Sequence, residues 1–215
     1  MDPTLQALLL DFDGTLVDSE PLHYECWSAT VRPYGAAISW PDYHRRMVGV
    51  SDRECGRILL QEAGHNPTEN LVDFLCAEKK RVYRDRFCRE LTLASEVVEL
   101  VAGCARALPV AVVSSSLVSE VEPFLAQVGL RDSLRFLVCG DHVSRLKPHP
   151  EPYLRALELL NRNSVTIGAG NCLVFEDSDS GVASAEAAGM RVERVRSSND
   201  LLSALQKHLS VLDRS

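Results

Sequence analysis

Two aspartates separated by one residue follow a short apolar run near the start of the chain, in the stretch ALLLDFDGTLVD. The run is typical of a parallel strand buried on both faces, and folding alone gives no reason to place Asp11 and Asp13 at its end. Carboxylates in such a position can attack as nucleophiles, transfer protons or bind a cation. We therefore expect chemistry at the end of this strand.

Other polar side chains follow apolar runs further along the chain. Ser114 follows VAVV, Glu176 and Asp177 end the run CLVFED, and Lys147 lies in the loop SRLKPHPEPY. Ligands of a doubly wound sheet bind beyond the carboxyl ends of its strands, near the change in strand order. We therefore expect these side chains to form one site with the two aspartates.

Such a site would hold four carboxylates, from Asp11, Asp13, Glu176 and Asp177. Two like charges about 4 Å apart cost about 4 kcal/mol at an effective dielectric constant of about 20. A divalent cation would offset this repulsion, and oxygen ligands without a cluster of histidine or cysteine favour magnesium. We therefore predict Mg²⁺ as the cofactor.

Five apolar runs predict five strands, at residues 5–12, 109–115, 135–140, 171–177 and 190–195. Helical patterns lie between them; one is predicted to begin at a Ser119 cap and end near Gly129, and another ends at Gly189. Strands that alternate with helices over short connections predict right-handed βαβ units. The predicted fold class is α/β, with a doubly wound, Rossmann-like parallel sheet.

The interval from Leu16 to about Arg89 breaks this alternation, because it contains no convincing strand and is too long for a structureless loop. Ser39 and Ser51 begin capping-box patterns, and a long amphipathic helix is expected from about Thr68. We therefore predict an inserted α-helical cap domain at residues 17–89, within a discontinuous catalytic core of residues 1–16 and 90–215.

Composition limits the partners and the compartment. The 215-residue chain has a net charge of -7 and a pI near 5.4, which disfavours nucleic acids and anionic membranes as partners. No apolar segment reaches the roughly 18 residues of a membrane helix, and the first residues lack a secretory pattern. Seven cysteines include no C-x-x-C pair, so we expect reduced packing residues rather than a disulfide or zinc framework. A cytoplasmic monomer is expected.

Four motifs occur in a fixed order: DFDGT, VVSSS, LKPHPEPY and VFEDSDSGVASAEAAGM. Together they resemble the signatures of the haloacid dehalogenase superfamily, and they span the whole predicted core. The inserted helical segment resembles the cap of the subgroup that contains β-phosphoglucomutase and many small-metabolite phosphatases. The resemblance implies a Mg²⁺-dependent enzyme that acts on a small phosphorylated metabolite.

The resemblance also implies roles for individual residues. Asp11 would be the nucleophile that forms an aspartyl phosphate, Asp13 the general acid and base, and Lys147 the cation that offsets negative charge between nucleophile and phosphate. The expected metal ligands are Asp11, Glu176, Asp177 and the backbone carbonyl of Asp13. The expected substrate-binding residues are Gly14, Thr15, Ser114, Ser115 and His23.

Three functions remain open from the sequence. Asp13 favours phosphate-ester chemistry, because the dehalogenases and phosphonate-cleaving members lack an acid at that position. His23, with Lys79 or Lys80, matches the β-phosphoglucomutase cap and favours a phosphomutase, although the usual expectation for the two lysines is a solvated helix face. Against this, the loop GVSDRE carries Asp52 where the mutase pattern has arginine, with Arg53 one position later. We therefore prefer a phosphatase, with a mutase as the alternative and a non-catalytic binding protein as the third hypothesis.

Overall fold

The computed structural model describes residues 4–48, 50–163 and 166–209. The chain divides into two compact units: a sheet unit, made of Met1–Asp18 and Thr92–Ser215, and a helical unit, Ser19–Leu91. The junctions between the two units follow residues 18 and 91, whereas the sequence predicted them after residues 16 and 89. Gly49, which begins the GVSDRE loop, lies outside the described residues.

The sheet unit contains five parallel strands: β1 (Ala7–Leu10), β2 (Val110–Val113), β3 (Leu137–Val138), β4 (Cys172–Glu176) and β5 (Arg191–Arg194). Their order is β3-β2-β1-β4-β5. The central strand β1 pairs with β2 and β4, so that Leu9 lies opposite Ala111 and Val174. The chain order reverses beside β1, which places the crevice for ligands at the ends of β1 and β4. The predicted doubly wound α/β fold is confirmed.

The described part of the chain forms nine α-helices. They are α1 (Glu20–Val31), α2 (Trp40–Arg46), α3 (Asp52–Glu62), α4 (Glu69–Glu90), α5 (Ser95–Ala107), α6 (Val118–Gln127), α7 (Glu151–Leu160), α8 (Asp179–Ala187) and α9 (Ser198–Leu209). The prediction that Ser119 caps α6 is wrong. The helix begins one residue earlier, and the N–H of Leu117 donates to Glu120 Oε2 at 3.2 Å.

A continuous apolar core explains why the strands read as unbroken apolar runs. Every residue of β1, β2 and β4 is buried. Tyr153 and Ala156 of α7 and Ala185 of α8 pack in one cluster with residues from β1 and β4. Covering on both faces leaves the strand ends as the place where polar side chains can emerge.

The helical unit contains α1 to α4 and has a separate apolar core around Trp27, Leu59 and Leu75. Ser39 and Ser51 cap α2 and α3 as predicted, each accepting a hydrogen bond at 3.3 Å from the N–H three residues later. No strand occurs in the described part of this unit. None of the seven cysteines forms a disulfide, and six of them are buried. None of the described helices is both long and apolar enough to cross a bilayer.

Candidate active site

The carboxylates at the ends of β1 and β4 lie together. The N–H of Asp11 donates to the carbonyl of Phe175 at 3.0 Å, so the pairing of the two strands fixes its position. Asp11, Glu176 and Asp177 can each offer one oxygen, and these three oxygens lie within 4.8 Å of one another. The carboxylate group formed by these three residues could hold a metal ion.

Lys147 reaches this group from the loop before α7. Its ammonium donates to Asp11 Oδ1 at 2.6 Å, to Glu176 Oε1 at 2.5 Å and to the carbonyl of Val113 at 2.9 Å. An ammonium carries three N–H donors, so all three are used within the protein. Lys147 therefore holds one oxygen of Asp11 in place and offsets part of the carboxylate charge.

Glu176 is fully buried and accepts hydrogen bonds on both oxygens. Oε1 accepts from Tyr153 at 3.2 Å as well as from Lys147. Oε2 accepts from the backbone N–H and the hydroxyl of Ser178, each at 3.1 Å. Tyr153 and Ser178 therefore belong to the site, although the sequence did not single them out.

Asp13 lies on the loop after β1, where its side chain is half-buried. The hydroxyl of Ser116 donates to Asp13 Oδ2 at 2.6 Å. The neighbouring Ser114 is buried, and its own hydroxyl accepts the N–H of Ser116 at 2.9 Å. Ser115 is exposed. Ser116, the third of the three serines after β2, therefore contacts the expected acid and base.

Gly14 makes the turn that follows the two aspartates. Its φ is +85°, and an added Cβ would lie 2.1 Å from Asp177 Oδ2, so no other residue fits this position without displacing the carboxylate. Its N–H donates to the carbonyl of Val17 at 2.7 Å. Gly14 therefore shapes the loop, and its own N–H is already in use. Thr15 is buried, and its hydroxyl has no hydrogen-bond partner among the described residues.

Comparison with known proteins supplies the family. The family described as haloacid dehalogenase-like hydrolase matches residues 8–195 of this chain. The chain belongs to this family. The resemblance inferred from the four motifs is confirmed.

Similar proteins of this hydrolase family include named phosphatases. The phosphorylated carbohydrates phosphatase of Thermotoga maritima is 35% identical over 193 residues, which cover 89% of this chain and 84% of the relative. The fructose-1-phosphate phosphatase YqaB of Escherichia coli is 29% identical over 190 residues, 88% of this chain and 96% of the relative. A crystal structure from T. maritima, provisionally named a β-phosphoglucomutase, matches at a TM-score of 0.70 and 31% identity. The match covers 98% of this chain and 99% of the T. maritima chain. The family and these relatives support a phosphatase.

Excess negative charge characterises the hydrolase site in this structure. Burial raises the pKa of Asp177 to about 6, and the charge of Glu176 adds to the shift. Burial also raises the pKa of Asp11 well above its usual range, against the opposing effect of Lys147. For Lys147, burial lowers the pKa, but the charge of Asp11 together with Tyr153 and Glu176 raises it well above its usual value. Lys147 is therefore charged, and a bound cation would relieve the remaining repulsion.

His23, the last predicted site residue, belongs to the helical unit. Its Nδ1 accepts a hydrogen bond from Lys79 Nζ at 2.8 Å, and its ring stacks on Tyr83 with centroids 4.2 Å apart. Lys79 is buried and also donates to Asp52 Oδ1 at 2.9 Å. The expectation that Lys79 belongs to a solvated helix face is wrong, because Asp52 and His23 satisfy its ammonium inside the unit. Lys80 is exposed.

A further acidic residue, Asp179, lies three positions beyond the end of β4. Asp179 is the first residue of α8, and its carboxylate pairs with Arg194 at 2.6 Å. Its side chain is 91% exposed. Asp179 is therefore separate from the carboxylate group of Asp11, Glu176 and Asp177.

Close packing against Glu176 yields a stability prediction. A Cβ on Gly181 would lie 1.7 Å from Glu176 Oε1, and the four hydrogen bonds of that carboxylate oppose its displacement. We expect Gly181→Ala to destabilise the fold by about 1–3 kcal/mol, as overpacking does. Chemical denaturation measures the loss.

The matched control is Gly103→Ala in α5. There the nearest atom to an added Cβ is the end of the Arg106 side chain, at 3.6 Å. Alanine in place of a helix glycine should stabilise by up to about 1 kcal/mol. Equal unfolding free energies for Gly181→Ala and the parent would contradict the packing account.

Proposed function

We propose that this hydrolase is a Mg²⁺-dependent phosphatase that cleaves a small phosphomonoester through an aspartyl phosphate on Asp11. The observation that carries the proposal is the contact of Lys147 with Asp11 Oδ1 inside the carboxylate group. This contact fixes a buried carboxylate at the end of the central strand and leaves Oδ2 for attack on phosphorus. Asp13, two residues later, has a separate environment suited to proton transfer.

In the first step Asp11 Oδ2 attacks the phosphorus atom. The bond between phosphorus and the ester oxygen breaks, and its electron pair goes to the leaving oxygen. Asp13 donates its proton to that oxygen, so the alcohol leaves uncharged. Lys147 remains beside Asp11 and offsets negative charge where nucleophile and phosphate meet.

In the second step water attacks the phosphorus atom of the aspartyl phosphate. Asp13, now a carboxylate, takes one proton from the water. The bond between phosphorus and Asp11 breaks, and the carboxylate and inorganic phosphate are released. The hydroxyl of Ser116, 2.6 Å from Asp13 Oδ2, orients Asp13 through both steps.

A magnesium ion fits the chemistry of this site. The possible ligand atoms are three carboxylate oxygens that lie within 4.8 Å of one another. Burial raises the pKa of Asp177, one of these carboxyl groups, to about 6. The ion would be held within the carboxylate group, with the backbone carbonyl of Asp13 as a further expected ligand. When bound, it would neutralise charge on the phosphoryl oxygens.

Sugar phosphates are the proposed substrate class. The relatives named as phosphatases of phosphorylated carbohydrates and of fructose 1-phosphate support this choice, since they align over 89% and 88% of this chain. We further propose that the helical unit serves as a cap domain and that the sheet unit acts as the catalytic core. A cytoplasmic monomer without nucleic-acid or membrane partners completes the proposal.

A phosphomutase is the second candidate, favoured by His23 and by the T. maritima structure provisionally named a β-phosphoglucomutase. A mutase must hold a substrate that carries a second phosphate, which calls for available cations. In the helical unit Lys79 is paired with Asp52, and Arg53 is paired with Asp73 and Glu69. These pairings favour the phosphatase. A binding protein without activity is disfavoured by the intact set of Asp11, Asp13, Lys147 and Asp177.

An assay of phosphate release with and without a chelator tests the proposed phosphatase and its metal. The products of the same assay distinguish a phosphatase from a phosphomutase. We expect release of inorganic phosphate from at least one member of a panel of sugar phosphates with Mg²⁺. EDTA should stop the release, and added Mg²⁺ should restore it. The panel includes β-glucose 1-phosphate, with glucose 6-phosphate followed by a coupled assay. Unchanged rates in EDTA would contradict the metal assignment, and glucose 6-phosphate without net phosphate release would establish the mutase.

A further inference from the structure

Glu176 is the most completely satisfied of the site carboxylates. An ionised carboxylate has two oxygens with about four lone-pair positions. Lys147 and Tyr153 donate to Oε1, and the N–H and hydroxyl of Ser178 donate to Oε2. Four donors therefore fill the four acceptor positions, and a metal ion could bind directly only by displacing one of them.

Packing restricts the same carboxylate from a second direction. The side chain of Glu176 is fully buried. An added Cβ on Gly181 would lie 1.7 Å from Oε1 and 2.2 Å from Oε2, which shows how closely the first turn of α8 approaches both oxygens. Asp177, by contrast, is half-buried, and Asp11 has only Oδ1 in contact with Lys147.

Tyr153 connects this carboxylate with the catalytic lysine. It is fully buried on α7, where its hydroxyl donates to Glu176 Oε1 at 3.2 Å. The centre of its ring lies 5.1 Å from Lys147 Nζ, within the range of a cation–π contact. Tyr153 thus contacts both members of the ion pair that Glu176 forms with Lys147.

We propose that Glu176, held by Tyr153 and Ser178, anchors Lys147 against Asp11 and lies outside the inner coordination sphere of the metal. Tyr153 is accordingly a positioning residue, and Asp11 and Asp177 are the carboxylates that bind the ion directly. This inference rests on the proposed function for the role of Lys147, and it replaces the sequence-based expectation that Glu176 is a direct metal ligand.

The number of water molecules on bound Mn²⁺, used as a probe in place of Mg²⁺, tests the coordination directly. The readout is the magnetic-resonance signal of Mn²⁺ in ¹⁷O-labelled water, at saturating metal. We expect Glu176→Gln to leave the water count of the parent unchanged. Asp177→Asn, the matched control from the adjacent position, should gain a water in place of the lost carboxylate. A gain of one water in Glu176→Gln would overturn the proposal.

Tyr153→Phe tests the anchor by a conservative change that keeps the ring and its packing. We expect kcat to fall about tenfold or more, in the range typical of residues that orient a ligand or catalytic group. KM and the Mn²⁺ water count should stay unchanged. Tyr34→Phe in the helical unit is the control and should behave like the parent. Unchanged kcat in Tyr153→Phe would overturn the positioning role.

The two measurements separate this inference from the proposed function. The water count requires no turnover, so it remains decisive for Glu176 if no phosphomonoester proves to be a substrate. Failure of the parent protein in the phosphate-release panel would refute the phosphatase alone. A gained water in Glu176→Gln alongside normal phosphatase activity would refute the anchor alone.

Discussion

Asp11→Asn should abolish turnover, with a loss in kcat of about 10⁴–10⁶-fold. Losses on this scale follow when one of several catalytic residues that work together is removed. An amide cannot form the aspartyl phosphate, whereas its shape and its carbonyl oxygen preserve the contact with Lys147. Steady-state release of phosphate from the best substrate of the panel measures the loss.

Folding should survive this substitution. Glu176 remains as a charged partner of Lys147 at 2.5 Å, and removing one carboxylate relieves repulsion with its neighbours. Thermal unfolding of Asp11→Asn should therefore match or exceed that of the parent without metal. The matched control is Asp179→Asn, which changes an exposed carboxylate paired with Arg194 and should leave turnover unchanged. Normal turnover in Asp11→Asn would refute the nucleophile assignment.

Asp13→Asn should have the second largest effect, a loss in kcat of about 10²–10⁴-fold, the usual contribution of a general acid or base. Asparagine can accept the hydrogen bond from Ser116, which lies 2.6 Å from Asp13 Oδ2, but it cannot donate or take the catalytic proton. Mg²⁺ binding, measured by the shift in unfolding temperature, should remain close to that of the parent because the expected ligand at this residue is its backbone carbonyl.

Leaving groups offer a specific control for the role of Asp13. A phosphoester whose leaving oxygen is a nitrophenolate needs no proton, so the first step should be nearly normal in Asp13→Asn. The second step still requires a base, and aspartyl phosphate should therefore accumulate. An equal loss of the first-step rate for acidic and non-acidic leaving groups would contradict the assignment of Asp13 as the acid.

The grouping of polar side chains at one end of the sheet could be predicted from the sequence because local patterns determine it. Apolar runs located the strands, and the residues just after them had to emerge at one edge of a parallel sheet. The strand predicted at residues 135–140 is shorter in the structure, where it spans Leu137–Val138. Gly140 follows closely, and an added Cβ there would lie 2.4 Å from the carbonyl of Ser115.

The contacts that a single sequence did not reveal are the tertiary ones. Lys79 resembled a solvated helix residue, because its burial depends on Asp52, which lies 27 positions earlier in the chain. Three consecutive serines offered no local basis for choosing Ser116 as a partner of Asp13. Nothing in the local sequence marked Tyr153, whose hydroxyl reaches Glu176 because α7 packs into the same core cluster as β4.

Covalent phosphorylation of Asp11 during turnover tests the central claim most directly. The enzyme would be mixed with Mg²⁺ and a nitrophenyl phosphate, quenched in acid within the first turnovers and digested for mass spectrometry, using both the parent and Asp13→Asn. The peptide that contains Asp11 should gain the mass of one phosphoryl group, more strongly in Asp13→Asn, and Asp11→Asn should show no gain. Rapid release of phosphate without this modification, or with the phosphoryl group on another residue, would contradict the account.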